Sequence, residues 1–577
     1  MSDSFNKPDS SWDSHSVGEG EFVNHRVPDR VRSPATIRSV DNIALANEKE
    51  ASRALKEAQA NLDFSTETGY APELRRNFNF ISLIGVGFGI TNSWAGISGS
   101  LITGIASGGP MMIVYGIIIV SFFSFCVVVS LAELASAYPN ASGQIYWTMK
   151  LAPRKYSRLL AYTTGALSWV GSIFTSASIT TTTSVGIVGA YALFRPTFVV
   201  HKWMVFVTYQ IFNILVSFFN IYDRPLPALF MGTLGISLCS FIIIIITVLA
   251  MHKGDFQSAK FVFVEFQNQT GWSSAGIAFI VGLINPNWSF NGLDAATHIA
   301  EESFNPAVDV PRALISTVII GFVTTFTFCI AIFFTITNLE AVLASNTGIP
   351  ILDIFHQGTG SKAAALGLGI LILVTAFGCN VGCHTWSARV CWGFARENGL
   401  PFSKFFSQVN TKTGTTVNAH YFSCFWVAVI GCIYLGSDTA FQSILVSCVM
   451  LLLLSYMIPT LCLIFQRNKI RHGPFWWGKL GLLCNIMLVI WTIFTTVFYN
   501  FPSIMPVTSG NMNYSSAVLG AVFLIFFCDW IIRGRREFVD IEERERHRDD
   551  YTHELSNQVS KIEAIMSNPQ NGMDKVG

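Results

Sequence analysis

Charged side chains are scarce over most of this 577-residue chain. Only 13% of the residues are Asp, Glu, Lys or Arg, about half the share of an ordinary soluble domain. Residues 1–78 and 533–577 hold 41 of the 73 charged residues, which leaves only 32 for the 454 residues between them. A surface so poor in charge cannot face water, so the sequence excludes a soluble protein and predicts one embedded in a membrane.

The sequence also lacks a large net charge, metal-ligand spacing of its cysteines and catalytic motifs. The net charge is only +1, which argues against a polyanionic partner such as nucleic acid. The twelve cysteines include no CxxC pair or metal-ligand spacing, and most lie in apolar runs, where a thiol packs as a small hydrophobe. The sequence has no H-E-x-x-H pair, no Walker lysine loop and no convincing nucleophile–base pair. We therefore expect no disulfide framework, no metal, no cofactor and no enzyme activity.

The stretch between the two charged ends consists largely of long apolar runs. A membrane-spanning helix needs about 20 mostly apolar residues. The runs that meet this requirement are 79–101, 111–136, 160–192, 203–221, 226–251, 275–300, 313–337, 363–388, 419–435, 441–466, 480–500 and 514–532. The sequence thus predicts an all-α integral membrane protein with a twelve-helix domain over residues 79–532.

Twelve spans place both ends of the chain on one side of the membrane. With both ends in the cytosol, the inner segments carry 19 Lys and Arg residues and the outer loops carry five, which agrees with the concentration of positive charge on the cytosolic side. The sequons at Asn268 and Asn513 then fall outside, and the sequon at Asn140 falls inside.

The two cytosolic tails are predicted to differ from the membrane domain. Residues 1–46 have too little apolar surface to offset the entropy of ordering, so the N-terminal tail is expected to be largely disordered, with a surface helix favoured over 47–62. Lys7, Lys49 and Lys56 are candidate acceptors for the ubiquitination machinery. The C-terminal tail is expected to begin as a helical extension and then fray.

Two of the apolar runs are interrupted. The first contains Gly85, Gly87, Gly89, Asn92 and Ser93, and the sixth contains Asn285, Pro286, Asn287, Asn291, Gly292 and Asp294. Such backbone is tolerated at membrane depth only where protein or a cavity satisfies it. If two five-helix halves repeat in inverted orientation, the two runs correspond, as in transporters that bind substrate at the membrane midplane. The alternative for the three glycines is close packing of helices.

Several motifs resemble those of a known family. They are Gly-Val-Gly-Phe-Gly at 85–89, Glu-Leu-Ala-Ser-Ala-Tyr-Pro at 133–139 followed by Gly143, Trp288-Ser-Phe-Asn-Gly-Leu-Asp294, Glu301-Glu302 with Pro311-Arg312, and Ser387-Ala-Arg389 through Asn398-Gly-Leu-Pro401. In these motifs, over roughly 75–535, the chain resembles the amino acid–polyamine–organocation (APC) superfamily. The resemblance implies a LeuT-like fold of ten core helices in a 5+5 inverted repeat plus two more, with spans 1 and 6 discontinuous and with alternating access.

Within that superfamily the chain is most similar to the fungal choline permease group. The segments that carry this closer resemblance are Ile84–Trp94, Gly108–Val120, Gly276–Pro286, Gly348–Ile354, Cys383–Trp386 and Gly473–Trp476. The resemblance implies uptake of choline, or of ethanolamine-like amines, across the plasma membrane. Two alternatives stay open: a permease for 4-aminobutyrate, a polyamine or another amino acid, and a transporter-like nutrient sensor that signals through residues 1–78.

The residues around the breaks suit a quaternary ammonium group. Aromatic faces hold such a group, with about 2 kcal/mol or more for a good desolvated contact. Trp94 lies just past the first break, and Trp288 and Phe290 lie in the second, so an aromatic cage is predicted, although each Trp has helix packing as its alternative. The candidate substrate-binding residues are Gly85, Gly87, Gly89, Asn92, Trp94, Trp288, Phe290, Asn291 and Asp294.

Further lining candidates come from other runs. Trp386 is one, and the hydroxyl run Ser176, Ser178 and Thr180–Ser184 either lines the route or bonds back to its own helix. Thr91, Asn92 and Asn291 are available for the choline hydroxyl.

Ionisable residues inside the runs are few, and each is a candidate for function. Asp294 has three interpretations: it neutralises the substrate cation, it takes up a proton in a gate, or it caps the second half-helix. Glu133 is a second candidate for gating or proton coupling, with a structural role in the inner loop as its alternative. His298 and His384 are candidate proton carriers. A coupling proton is expected, and sodium is left open.

Overall fold

The computed structural model describes residues 74–195, 197–345, 347–539 and 541–567, together with Leu55, Gln59 and Leu62. The predicted disorder over 1–46 lies outside the described residues. Of the predicted helix over 47–62, only Leu55, Gln59 and Leu62 are described, and all three are helical. Within the described part every regular element is a helix, apart from an isolated bridge between Phe78 and Ser303, so the all-α prediction is confirmed.

Helices α1 to α22 make up the fold. They are α1 Phe80–Thr91, α2 Ser93–Gly99, α3 Leu101–Ala106, α4 Gly109–Ala137, α5 Gln144–Leu151, α6 Arg154–Ala192, α7 Lys202–Ser217, α8 Leu226–Met251, α9 Ala259–Phe263, α10 Ala275–Gly282, α11 Ile284–Ser289, α12 Pro306–Phe334, α13 Leu339–Leu343, α14 Pro350–Thr359, α15 Lys362–Arg396, α16 Ser403–Phe406, α17 Val417–Gly436, α18 Asp438–Gln466, α19 Gly478–Phe498, α20 Ser515–Asp529, α21 Arg535–Glu537 and α22 Ile541–Ser567. Two 3-10 segments, Phe218–Asn220 and Ala295–Glu302, and a π-helical turn at Trp530–Gly534 complete the helical elements.

Eleven helical stretches of the described chain are long and apolar enough to cross a membrane. They match eleven of the twelve predicted runs, which makes this a multi-pass membrane protein. The sixth run does not qualify because its helices α10 and α11 have only eight and six residues. Phe290–Asp294 then leaves the helical path before the 3-10 segment begins. The interruption predicted for this run is therefore present.

The first run is also interrupted, at a single residue. Asn79 begins α1 with a capping box, in which its side chain accepts from the Ser82 N–H and Ser82 Oγ accepts from the Asn79 N–H, both at 2.9 Å. At Asn92 the backbone turns to φ 36° and ψ 52°, the left-handed region, and a new helix starts at Ser93. Asn tolerates this conformation better than most residues, so the break lies where the sequence can accommodate it.

Gly85 and Gly87 allow two helices to approach α1 closely. A Cβ atom at Gly85 would lie 2.6 Å from the Phe230 carbonyl oxygen on α8, and a Cβ at Gly87 would collide with Thr317 Oγ1 on α12. At Gly89 the nearest atom, Thr233 Oγ1, would be 3.6 Å away, an ordinary contact. The alternative of small-residue helix packing therefore describes Gly85 and Gly87.

Buried ion pairs join helix ends on the side predicted to be cytosolic. We call the following set the ion-pair layer: Glu133–Arg467 (2.7 Å), Glu301–Arg396 (2.7 Å), Glu302–Arg389 (2.7 Å) and Glu397–Arg544 (2.9 Å). Burial raises the pKa of Glu302, and the Arg389 guanidinium opposes that rise. Because a buried charge is tolerated only when it is paired, these contacts hold the helix ends together.

The C-terminal helix α22 is part of this layer. The Arg544 guanidinium bonds Glu397 at the end of α15 and lies 4.1 Å from the ring centre of Tyr146 on α5. Further along α22, Leu555, Val559 and Ile562 are buried along one helical face. Gln59 Nε2 donates to Glu563 Oε1 at 3.3 Å, so a residue of the N-terminal tail contacts the C-terminal helix.

Candidate functional site

A cavity lies where the two interrupted runs meet. It holds about 710 Å³ of space, including the part open to solvent. Its walls come from the α1–α2 break, α6, the segment after α11, the start of α14 and the first half of α15. The lining residues are Ile90, Thr91, Asn92, Ala95, Gly96, Ser98, Gly99, Thr175, Ile179, Thr182, Thr183, Trp288, Asn291, Ile349, Ile351, Ile372, Leu373, Ala376 and Cys379.

The lining is mostly apolar and carries no formal charge. Its polar groups are the hydroxyls of Ser and Thr, the amides of Asn92 and Asn291, and the Cys379 thiol, and none of the described lining residues is Asp, Glu, Lys, Arg or His. A site of this kind suits a ligand with a large apolar or diffusely charged surface and a single hydrogen-bonding group.

Asn92 is held at the break by a short hydrogen-bond relay. Trp94 Nε1 donates to Ser237 Oγ at 3.0 Å, and Ser237 Oγ donates to Asn92 Oδ1 at 2.9 Å. The Asn92 backbone N–H donates to the Phe88 carbonyl at 2.7 Å, while its own carbonyl accepts from the Gly96 N–H at 2.8 Å. The break is thus a fixed part of the cavity wall.

Trp94 does not face the cavity. Its side chain is fully buried, and its ring packs edge-on against Phe328 with centroids 5.3 Å apart. The expectation that Trp94 and Trp288 form one aromatic cage is not met in this structure. The first residues after a helix break can point in any direction around the axis, and here the indole turns toward α8 and α12 instead.

Trp288 does line the cavity. Its indole N–H donates to Ser178 Oγ on α6 at 3.1 Å, and its side chain is among the lining residues. Gly99 at the end of α2 lies against the same ring, since a Cβ there would be 3.1 Å from it. The residues of the two breaks that meet at the cavity are therefore Trp288 and Asn291 from one, and Asn92 with its neighbours from the other.

Asn291 lines the cavity beside Trp288, and Phe290 does not. Asn291 Nδ2 donates to Thr175 Oγ1 at 2.8 Å and to Cys448 Sγ at 3.4 Å. Phe290 is buried against Gly321 of α12, where a Cβ would lie 3.0 Å from its ring. Trp386 is also buried away from the cavity.

The hydroxyl run of α6 is divided between the two predicted roles. Thr182 and Thr183 line the cavity. Ser176, Thr180 and Ser184 each donate to the carbonyl four residues earlier in the same helix, at 2.7–2.9 Å. The apolar lining residues of α14 and α15 carried no signal in the sequence, because they resemble any other residue of a membrane helix.

Asp294 lies outside the cavity lining and is fully buried. Its Oδ1 accepts from the Tyr456 hydroxyl at 2.7 Å, and its Oδ2 accepts from Gln144 Nε2 at 2.6 Å and lies 3.0 Å from His298 Nε2. Asp294 precedes the 3-10 segment, but its side chain makes no capping bond. The structure therefore does not support the capping interpretation or a direct contact with a ligand in the cavity.

The other ionisable candidates have structural partners. Glu133 accepts two bonds from Arg467 and one from the Trp477 N–H at 2.9 Å, which fits its predicted alternative as a structural group. His384 Nδ1 lies 3.2 Å from Cys424 Sγ, and its Nε2 has no hydrogen-bond partner in the described chain. Neither residue lines the cavity.

Comparisons with known proteins agree with this architecture. Residues 78–524 match the family described as "Amino acid permease". The choline transporter of Saccharomyces cerevisiae is 52% identical over 479 residues, which are 83% of this chain and 85% of that protein. The 7-keto 8-aminopelargonic acid transporter of the same yeast is 34% identical, over 78% of this chain and 91% of that protein. Amino-acid permease 2 of Neurospora crassa is 28% identical, over 82% and 88%.

Proposed function

Since this chain belongs to the amino acid permease family, we propose that it is a plasma-membrane transporter that takes up choline or an ethanolamine-like amine. The observation that carries the proposal is the 52% identity to the yeast choline transporter, which extends over 83% of this chain. Members of this family move solutes, and we assign no catalytic reaction to the protein.

The chemistry of the cavity supports this substrate. Choline carries a diffuse positive charge shielded by methyl groups, which an aromatic face and apolar walls hold well. Trp288 offers such a face. The choline hydroxyl needs one hydrogen-bond partner, and Thr91, Asn92 and Asn291 line the same space. No carboxylate is required, because cation–π attraction and burial of the methyl groups act together.

In an alternating-access mechanism, the substrate site lies at the two discontinuous spans near the centre of the fold. We propose that α1–α2 and α10–α11 are the discontinuous spans 1 and 6 of a twelve-span arrangement, built as a 5+5 inverted repeat plus two helices, with both termini in the cytosol. Ile372 and Leu373 line the cavity from the first half of α15, whereas Arg389 of the ion-pair layer lies ten residues beyond the lining residue Cys379, about 15 Å further along that helix. We propose that the closed ion-pair layer marks an outward-facing conformation.

A second candidate substrate is an amino acid or polyamine. It is favoured by the wider set of relatives, which includes Amino-acid permease 2 of Neurospora crassa. A free carboxylate calls for a cationic or N–H-rich partner, and primary ammonium groups, which are strongly hydrated, call for acidic ones. The described lining offers neither Lys or Arg nor Asp or Glu, which supports choline over amino acids and polyamines and, by the same reasoning, over ethanolamine.

Uptake measurements test the proposal. The full chain is expressed in a yeast strain that lacks its own choline transporter, and initial uptake of radiolabelled choline is measured with unlabelled choline, ethanolamine, 4-aminobutyrate or spermidine as competitor. We expect saturable uptake that choline suppresses most strongly. Uptake of radiolabelled 4-aminobutyrate or spermidine without saturable choline uptake would instead favour the second candidate, and choline binding to the purified protein without flux in cells would favour the nutrient sensor.

Topology and regulation add two further expectations. Asn268 and Asn513 are expected outside, and position 140 inside, which cysteine labelling from either side of the membrane tests. External labelling at position 140 would invert the assignment.

Lys7, Lys49 and Lys56 stay candidate ubiquitin acceptors and lie outside the described residues. A coupling proton remains part of the proposal.

A further inference from the structure

Asp294 and His298 form a fully buried pair that substrate binding does not explain. Both side chains have no solvent exposure, and Oδ2 of the aspartate lies 3.0 Å from Nε2 of the histidine. On the other side of the imidazole ring, Nδ1 lies 2.8 Å from the Ala141 carbonyl oxygen. Neither residue lines the cavity, so their close contact calls for a separate reason.

The hydrogen-bond partners fix how many protons the pair holds. A carbonyl oxygen only accepts, so Nδ1 of His298 must carry a hydrogen. In a neutral imidazole Nε2 is then an acceptor, and it faces a carboxyl oxygen, which is also an acceptor when ionised. The 3.0 Å contact is a hydrogen bond only if one more proton lies between them, on His298 or on Asp294.

Loss of that proton would leave the pair with a net charge of −1 in a place without solvent exposure. An unpaired buried charge costs several kcal/mol. Tyr456 and Gln144 donate to Asp294 and stabilise an ionised carboxylate, yet they do not remove the repulsion between Oδ2 and the Nε2 lone pair. The arrangement in this structure therefore depends on the bound proton.

The pair joins three elements near the ion-pair layer. Ala141 and Gln144 belong to the connection between α4 and α5 and to the start of α5, Tyr456 lies on α18, and His298 lies on the 3-10 segment. Two further groups in the neighbourhood are paired: the Ala141 N–H donates to Glu301, and Glu301 is bound by Arg396. A change in the proton count of the pair would act on the contacts among these three elements.

The same segment reaches the cavity. Asn291, three residues before Asp294, lines the cavity and bonds Cys448 of α18. Asp294 bonds Tyr456 on that same helix, two turns further along. A movement of this segment against α18 would therefore change the Asn291–Cys448 contact at the cavity and the Asp294–Tyr456 contact at the pair.

We propose that Asp294 and His298 together bind the coupling proton, and that the ion-pair layer stays closed only while the proton is bound. The pair takes up one proton from outside, which changes its net charge from −1 to 0, and releases it to the cytosol when the layer opens. The identity of the cargo rests on the proposed function, whereas the proton site rests on the geometry of the pair.

Asp294→Asn gives the sharpest test, because an amide can mimic the protonated acid but cannot release the proton. Its N–H can donate to His298 Nε2, and Gln144 can rotate to offer Oε1, which has no partner in the described structure. The full chain is reconstituted in liposomes, and radiolabelled choline uptake is measured with and without an inward pH gradient of about one unit. Choline counterflow at equal pH is measured on the same vesicles.

For the unmodified chain with one proton per substrate, we expect the gradient to raise choline accumulation up to about tenfold. For Asp294→Asn we expect counterflow to survive and the response to the gradient to be lost. His298→Gln, which removes the base, is expected to lose the response as well. His420→Gln replaces a buried histidine of α17 outside the pair, whose Nε2 lies 2.9 Å from the Ser217 carbonyl oxygen, and is the matched control that keeps the response.

Each outcome decides between the alternatives. A normal pH response in either Asp294→Asn or His298→Gln overturns the proton site, even if choline transport itself is normal. If Asp294→Asn does not fold, His298→Gln decides alone. Absence of choline counterflow in the unmodified protein would instead refute the proposed substrate, and the pH response would then be sought with the solute that the protein does carry.

Discussion

Trp94 and Asn92 are joined through a single hydroxyl group, that of Ser237 on α8. The indole N–H lies 3.0 Å from Ser237 Oγ, which lies 2.9 Å from Asn92 Oδ1. Trp94 therefore acts on the cavity indirectly, by fixing the residue at which the first run breaks.

Removal of this hydroxyl should weaken the break. Ser237→Ala leaves the Trp94 N–H and Asn92 Oδ1 buried without their partner, at a cost of about 1–3 kcal/mol. We expect a lower melting temperature in detergent and a higher KM for the substrate. Thr233→Ala on the same helix removes a bond to the helix's own Phe230 carbonyl and a methyl group beside Gly378. It leaves the Trp94–Ser237–Asn92 relay intact, so the KM should stay close to normal. Equal effects of the two changes would argue against the relay.

Trp288 should contribute to substrate affinity through its ring face. Trp288→Ala is expected to cost on the order of 1–3 kcal/mol, or roughly 5- to 150-fold in apparent affinity for choline. Trp288→Tyr should retain more activity than Trp288→Leu, although leucine replaces much of the apolar area. Uptake kinetics at matched surface expression measure this. Equal affinities for the Tyr and Leu variants would mean that the ring does not bind the cation.

The glycines of α1 should differ in their tolerance of a methyl group. Gly85→Ala and Gly87→Ala force a Cβ into Phe230 and Thr317, and overpacking of this kind costs about 1–3 kcal/mol. Gly89→Ala meets only an ordinary contact and is the internal control. We expect lower expression and melting temperature for the first two variants alone. A loss of substrate affinity with normal stability at Gly85 would restore its predicted role in binding.

The Glu133–Arg467 pair should be structural. Glu133→Gln leaves a buried guanidinium without its charge partner, which costs about 3–5 kcal/mol, so folding and surface expression should fall sharply. The double variant Glu133→Leu with Arg467→Met removes both charges and should recover much of the loss. If the double variant folds but its uptake no longer responds to a pH gradient, Glu133 would regain its place as a coupling group.

The contact of α22 with the membrane domain can be tested by proteolysis. Arg544→Ala removes the bond to Glu397 and the packing on Tyr146, so we expect faster cleavage near residue 540 by a protease added to the cytosolic side. Arg546→Ala, an exposed neighbour on the same helix whose side chain bonds the Glu542 carbonyl, is the control. Identical cleavage rates would show that Arg544 does not hold the helix in place.

Much of the architecture was predictable from composition, because long apolar runs and their interruptions follow from the cost of exposing charge or unpaired backbone to lipid. Asn92 and the Asn291–Asp294 segment mark breaks that the structure contains. The direction of a side chain beyond a break was not predictable. Trp94 and Trp288 occupy similar places in the sequence, yet only Trp288 reaches the cavity, because tertiary packing sets the rotation of each half-helix.

The same reasoning applies to Asp294. Its position after a break made it equally suitable as a counter-ion, a cap or a proton carrier, and the choice depends on Gln144 and Tyr456, which lie 150 and 162 residues away in the chain. Long-range partners of this kind leave no local pattern in a single sequence. The apolar residues of α15 that line the cavity could not be predicted from the sequence either, because they do not differ from other residues of a membrane helix.

The lack of acidic side chains in the described cavity lining has an electrical consequence. A cationic cargo held by ring faces and amides keeps its full charge during transit, so its translocation carries current. A membrane potential of 100 mV, negative inside, adds about 2.3 kcal/mol for each charge that crosses. That amount alone sustains a roughly 50-fold concentration ratio, and a proton carried with the cargo would double the charge moved. Depolarisation should therefore slow uptake even when the pH is equal on both sides.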